Sequence, residues 1–299
     1  MRKLWLRVND NMFFDLQGGY HINNTGLEAL IVTQLAGMLY FTNISGLGFE
    51  NNRGFEYIGN FNYVPTIDRP AQTVIAGTLN FVHGFSGTSP YEGYSAFIDC
   101  IEGAELALLY SPTGGSYSQT AFSIHGTSTY ILEGVITKIT KQELKAGILS
   151  VGFEFRAFMP WFCTSAQNPS ASAQNNSSFS LNQGISKIGR SFDITLTAKT
   201  AVTNAGAVLK NSSGAVIGGF DLSSLSIAKD DVIRWCSDPQ RRILTLNGAD
   251  VTQYTNLAMR LYPLLENSAT LKFGIDATGT AMTGSFGLSA KFKIYRRSV

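Results

Sequence analysis

The chain of 299 residues carries 44% hydrophobic and only 15% charged residues, so it has apolar surface enough for cores but little charge to cover its outside. A length of this order predicts two domains, because single cores stop growing near it, and the sparse charge predicts burial of part of the surface by other proteins. The formal net charge of +2, from 23 basic and 21 acidic residues scattered without a basic stripe, argues against sequence-specific nucleic-acid binding.

In chain order, "LWLRVNDNMFFDLQGGY" reads as a hairpin turning at Asn9-Asp10-Asn11. The start goes straight into this alternating strand, with no apolar secretory region. Residues 27–55, "LEALIVTQLAGMLYFTNISGLGFENNRGF", mix apolar residues with glycine and fit a short helix or strands equally well before Gly46. Glu28 and Gln34 interrupt the longest apolar run, which is too short to cross a bilayer. "TVIAGTLNF" (73–81) reads as a strand.

A helix follows. Pro90 suits its first position, Tyr91, Tyr94, Phe97, Ile98 and Ile101 fall on one stripe, and Gly103 stands where a left-handed stop is expected. "AELALLYSP" continues as a strand ended by Pro112. From 121 the pattern is sheet: "AFSIHG", "YILEGVITKIT", the turn-like "KQELKAG" (141–147), then "ILSVGFEFRAF" in strict alternation. The bulky "MPWFC" (159–163) closes this part.

Residues 164–178, "TSAQNPSASAQNNSS", carry no charge and read as a linker or long surface loop. Beyond it the chain is all β, with turns at 211–214, at Asp238-Pro239 and at Asn247-Gly248, followed by the alternating "GLSAKFKIYRR". The domains expected are therefore 1–163, a linker at 164–178, and a sandwich at 179–299.

No catalytic, cofactor-binding or metal-ligating residue emerges. "GLGFENNRG" lacks the third glycine and the βαβ setting of a dinucleotide fingerprint, and Walker, GxSxG and HExxH motifs are missing from the sequence. His21, His83 and His125 stand singly, without carboxylates or cysteines at ligand spacing. Cys100, Cys163 and Cys236 are odd in number and far apart, which reads as free core thiols made in a reducing compartment. Glu102 with Glu105, and Asp230 with Asp231, are adjacent in sequence, which says nothing of the separated pair a glycosidase needs. Asn9, Asp10, Asn11 and Asp15 lack the glycine and terminal glutamate of an EF-hand loop. Trp5, Trp161 and Trp235 read as core or interface anchors before they read as sugar platforms.

The stretches "TVIAGTLNF", "YEGYSAFIDCIEGAELALLYSP", "ILEGVITKITKQELKAGILSVGFEFRAFMPWF", "DDVIRWCSDPQRRILTLNGADVTQY" and "LYPLLENSATLKFG" together resemble the distal tail proteins of long, non-contractile-tailed bacteriophages of Gram-positive bacteria. The resemblance implies a mainly β fold: an N-terminal β-sandwich with one short helix and a long hairpin, forming a hexameric ring, plus a C-terminal galectin-like β-sandwich. It implies a structural virion protein rather than an enzyme, made in the host cytoplasm and resident at the tail tip. The partners it implies are further copies of the chain, the tail tube protein, a tail-tip or tail-associated protein and receptor-binding proteins, with no membrane and no cofactor. A rival reading is a carbohydrate-binding adhesin of the tail tip that recognises host cell-wall polysaccharide. Family members with inserted carbohydrate-binding modules need more chain than the roughly 120 residues after the linker, which hold one ordinary sandwich.

Overall fold

The computed structural model describes residues 3–9, 12–16, 38–47, 51–57, 63–70, 72–83, 87–111, 126–167, 172–181, 189–255, 260–265, 268–274 and 280–295. The chain divides into two compact units, residues 1–163 with the last four residues, and residues 164–295.

In the N-terminal unit, Lys3–Val8 (β1) and Met12–Asp15 (β2) form the expected opening hairpin. Asn9 enters the turn at φ +54°, a conformation asparagine tolerates. Leu39–Ser45 (β3) resolves part of the ambiguous stretch as strand, and Asn51–Tyr57 (β4) pairs with Tyr63–Pro70 (β5) in a separate two-stranded ladder. The remainder of residues 17–37 lies outside the described residues. Val74–Phe81 (β6), Leu106–Ser111 (β7), Gly126–Lys145 (β8) and Ile148–Ala157 (β9) complete an antiparallel sheet in the order β3-β6-β9-β8-β7-β1-β2.

The hairpin β8–β9 turns at Ala146-Gly147, with φ of +52° and +77°, a geometry matched to the twist of paired strands. The turn-like segment expected at 141–147 is thus a correction: strand pairing persists to Lys145↔Ile148 because a bulge between Lys141 and Leu144 absorbs the irregularity. Strand β9 also pairs with β6 from Leu149 to Arg156. Strand β8 changes partner at Gly134, which faces Leu106 of β7 on one side and Ala157 of β9 on the other. A Cβ there would lie 2.1 Å from the Arg156 carbonyl oxygen, so only glycine permits the crossing.

This crossing lets the sheet fold over itself. The Phe41 amide donates to the Leu16 carbonyl at 2.7 Å, which brings β3 against the end of β2 and encloses one core. Alternation writes that core directly: Leu149, Val151, Phe153, Phe155 and Ala157 of β9 are buried, as are Ile75, Leu79 and Phe81 of β6.

Pro90–Ile101 (α1) covers the fold. The Ser89 hydroxyl accepts from the Glu92 amide, and the Glu92 carboxylate accepts from the Ser89 amide at 2.8 Å, a reciprocal cap that fixes where the helix begins. Phe97, 1% exposed, makes edge contacts with Phe14 and Phe81 at 5.6 and 5.7 Å between centroids. The expected stripe needs one correction: Tyr91 is 43% exposed and outside the core, because Pro90 and Gly93 fill the buried side of the first turn. Lys141 of β8 sits over the Tyr91 and Tyr94 rings, at 4.5 and 5.4 Å from their centroids.

Phe162–Gln167 (β10) carries the chain from one unit into the next. In the second unit, Ser178–Ser180 (β11), Arg190–Ala198 (β12), Ala205–Asn211 (β13), Val216–Leu222 (β14), Val232–Cys236 (β15), Ile243–Leu246 (β16), Ala249–Asp250 (β17), Ala269–Phe273 (β18) and Phe286–Tyr295 (β19) build two sheets. One runs β17-β16-β15-β12-β19 and the other β11-β18-β13-β14. Trp235 of β15 meets Phe220 of β14 edge-on at 5.1 Å, and Phe273 of β18 lies 6.4 Å from Phe286 of β19, so aromatic rings join the two layers of a sandwich. The three turns expected by sequence occur, with Asn247 and Gly248 both at positive φ. Within the charge-free stretch, Ala173 bridges Phe286 and the Asn176 amide donates to the Phe273 carbonyl, so its second half is tied to this sandwich.

Phe97→Ala is expected to lower the stability of the N-terminal unit by about 3–5 kcal/mol and Ser89→Ala by about 1 kcal/mol, measured by denaturant unfolding. Gly134→Ala is expected to cost about 1–3 kcal/mol through overpacking at the crossing.

Candidate functional site

The residues with chemical potential take structural places. His83 is exposed just beyond β6, and His21 and His125 lie outside the described residues. Among the described residues, no group of three His, Cys, Asp or Glu side chains converges as a metal site would require. The Asn9 side-chain oxygen accepts from the Glu105 amide at 3.0 Å, and the Asn9 amide donates to the Glu105 carbonyl at 2.7 Å, so Asn9 clamps a turn. Asp231 accepts from the Ala228 amide and from the Asn247 side chain, both at 2.7 Å, which fixes a hairpin base. Asp230 beside it is exposed at φ +71°. Glu102 and Glu105 are exposed at the end of α1.

The three tryptophans are buried, Trp235 donating to the Leu261 carbonyl at 2.7 Å. None offers an open ring to a saccharide. Cys163 and Cys236 are buried and Cys100 half-buried, and none forms a disulfide. Burial raises the Cys236 thiol to about 11, above its ordinary range, so it stays protonated and inert near neutrality.

What remains is a surface. The outward row of β3, β6 and β9 carries a hydrogen-bonded ladder: Ser150 donates to the Asn80 side-chain oxygen at 2.7 Å, and the Asn80 amide group donates to Thr42 Oγ1 at 2.9 Å. Farther along the same face, the Thr137 hydroxyl and the Arg156 guanidinium both donate to Glu154, at 2.8 and 2.9 Å. Those bonds, the Thr137 one foremost, hold the Glu154 carboxyl below its usual range. Small side chains, Ala76, Thr78 and Gly152, keep the middle flat, while Val135 and Phe158, 56% exposed, form an apolar margin. A flat face of satisfied polar groups with an apolar margin has the composition of surfaces that other proteins cover. Sequence reasoning did not single out this face, although the outward members of its strands follow from the same alternation that reveals the core.

Residues 21–158, nearly all of this unit, match the family model of the distal tail protein, N-terminal domain. Residues 21–158 are thus a distal tail protein N-terminal domain. Solved structures extend the likeness in fold to the whole chain. The crystal structure of the SPP1 Dit protein, described as a hub of the adsorption apparatus in phages infecting Gram-positive bacteria, superposes with a TM-score of 0.59 at 11% identity, over 97% of this chain and 98% of that one. A chain of the phage p2 baseplate in its activated conformation with strontium gives 0.62 at 15% identity, with both chains fully covered, and the calcium form gives the same values. No curated protein sequence matches the chain. Among the described residues, no helix is long and apolar enough to cross a membrane.

In thiol titration at pH 8, the native distal tail protein is expected to expose at most Cys100, with all three cysteines reacting once denaturant is added. Iodide is expected to quench its native tryptophan fluorescence little, since the three indoles are shielded.

Proposed function

We propose that this distal tail protein is the subunit of a hexameric adaptor ring at the tail tip, joining the tail tube to baseplate and host-recognition proteins. The observation that carries this reading is the match of the N-terminal domain to the distal tail family over a unit that bears a flat outer face of hydrogen-bonded polar groups. In this reading residues 1–163 form the ring, residues 164–178 lead out of it, and residues 179–299 project as a galectin-like sandwich. Its partners are further copies of itself, the tail tube protein, a tail-associated protein and receptor-binding proteins. It works by position: the ring holds partners in register and leaves a lumen for DNA, and no bond is made or broken. The protein is synthesised in the host cytoplasm and ends in the virion.

The low charge of the chain and the satisfied polar ladder support this reading, because a subunit buried between neighbours keeps few charges that need water. The adhesin reading gains nothing from the burial of Trp5, Trp161 and Trp235.

Light scattering coupled to size exclusion, with negative-stain images of the same peak, tests the ring. Six-fold particles of six times the 32.5 kDa chain mass are the expected result. A strict monomer, both alone and with tail-tube protein added, refutes it, and glycan-array binding by that monomer would establish the adhesin instead.

A further inference from the structure

The N-terminal unit presents opposite charge on two faces that point in opposite directions. Helix α1 lies on the inner side of the sheet, where Phe97 enters the core and Lys141, paired with inward-facing Val151, reaches over Tyr91 and Tyr94. Its solvent side carries Glu92, Asp99 and, just past its end, Glu102, all exposed, and no basic residue stands anywhere in the helix. The other face is set by the pleat. Lys138 pairs with Glu154, and Lys145 with Ile148, so both lysines point outward and both are exposed. Glu154 on this face is engaged by Thr137 and Arg156 and feels the charge of Lys138 opposite it, so one carboxylate stands there against Lys138, Lys145 and Arg156. Phe158 and Val135 supply apolar margin at the Lys138 end of the hairpin.

A surface that met its own image across a two-fold axis would need both signs on one face. Here the net charge differs front to back, with Glu92, Asp99 and Glu102 against Lys141 on the helix side and Lys138, Lys145 and Arg156 against Glu154 on the other, which is the polarity of a head-to-tail contact. We propose that the occupant of each face is a second copy of this chain: the acidic side of α1 on one protomer docks against the Lys138 and Lys145 side of the β8–β9 hairpin on the next. This rests on the ring reading and specifies which surfaces close the ring. Like-charge juxtaposition across such a contact is strongly unfavourable, so reversing one face disrupts it and reversing both restores it.

The test uses the full chain at about 0.1 M salt, where charges within about 10 Å still act on one another. Asp99→Lys with Glu102→Lys is one variant, and it spares the fold because cations near a helix C-terminus are favoured. Lys138→Glu with Lys145→Glu is the other, and far-ultraviolet circular dichroism checks both. The expected result is that each double variant loses the ring mass, needing at least about tenfold more protein for half-assembly, and that the four-substitution variant, or an equimolar mixture giving alternating rings, recovers it. Ring mass retained by either double variant, or lost in the charge-swapped chain, overturns this assignment while leaving the ring itself standing. A monomeric wild type overturns both.

Discussion

Burial of Phe97 between Phe14 and Phe81 is the contact on which the N-terminal unit depends. The sheet folds over itself, and Phe97 of the helix meets Phe14 of β2 and Phe81 of β6 at once, tying the helix to two strands of the core. Full burial of such a side chain contributes about 1.5–3 kcal/mol of transfer free energy, before the edge-to-face terms are counted. The rest is arranged so that this ring arrives in place. Ser89 and Glu92 fix the first residue of the helix, hence the angular position of Phe97 two turns later. Gly103, at φ +69°, ends the helix and lets Leu106 start a strand that is buried along every residue.

The same geometry decides what is left outside. Once the inner side of β6 and β9 is committed to the core, their outer side is determined by parity, and it holds Thr78, Asn80, Ser150, Glu154 and Arg156. Ser150 bonds to Asn80 across strands, and Glu154 accepts from Arg156 on its own strand and from Thr137 on the next. A protein–protein contact can then cover them at small desolvation cost, which is the physical reason this face suits assembly better than chemistry.

The alternating strands and the helix were legible in the sequence because each obeys one period over its full length. Leu149 to Ala157 alternate without exception, and Phe97 and Ile101 fall on one helical side. Where two periods or two partners compete, the reading failed. Residues 141–145 contain lysines, glutamine and glutamate, which signal a turn, yet tertiary pairing with β9 keeps them in the strand and a bulge takes up the mismatch. Tyr91 looks apolar and in phase, but a proline and a glycine occupy the buried side of its turn and Lys141 makes its exposed ring useful. Residues 39–45, ambiguous between helix and strand, become a strand because β6 offers them an open edge, a fact no local window contains.

The candidate surface was illegible for a different reason. Catalytic sites announce themselves by rare residue types at fixed spacing, whereas a docking face uses Thr, Ser, Asn and Gly, which are ordinary in any exposed strand. Only register tells that Ser150 meets Asn80 and that Asn80 meets Thr42, because these residues are 70 and 38 positions apart. The second unit makes the same point from the inside. Trp235, a plausible sugar platform from sequence, stands on a strand whose partner sheet supplies Phe220, and its indole nitrogen is spent on the Leu261 carbonyl. A ring with both faces packed and its one donor engaged has nothing left to offer a ligand.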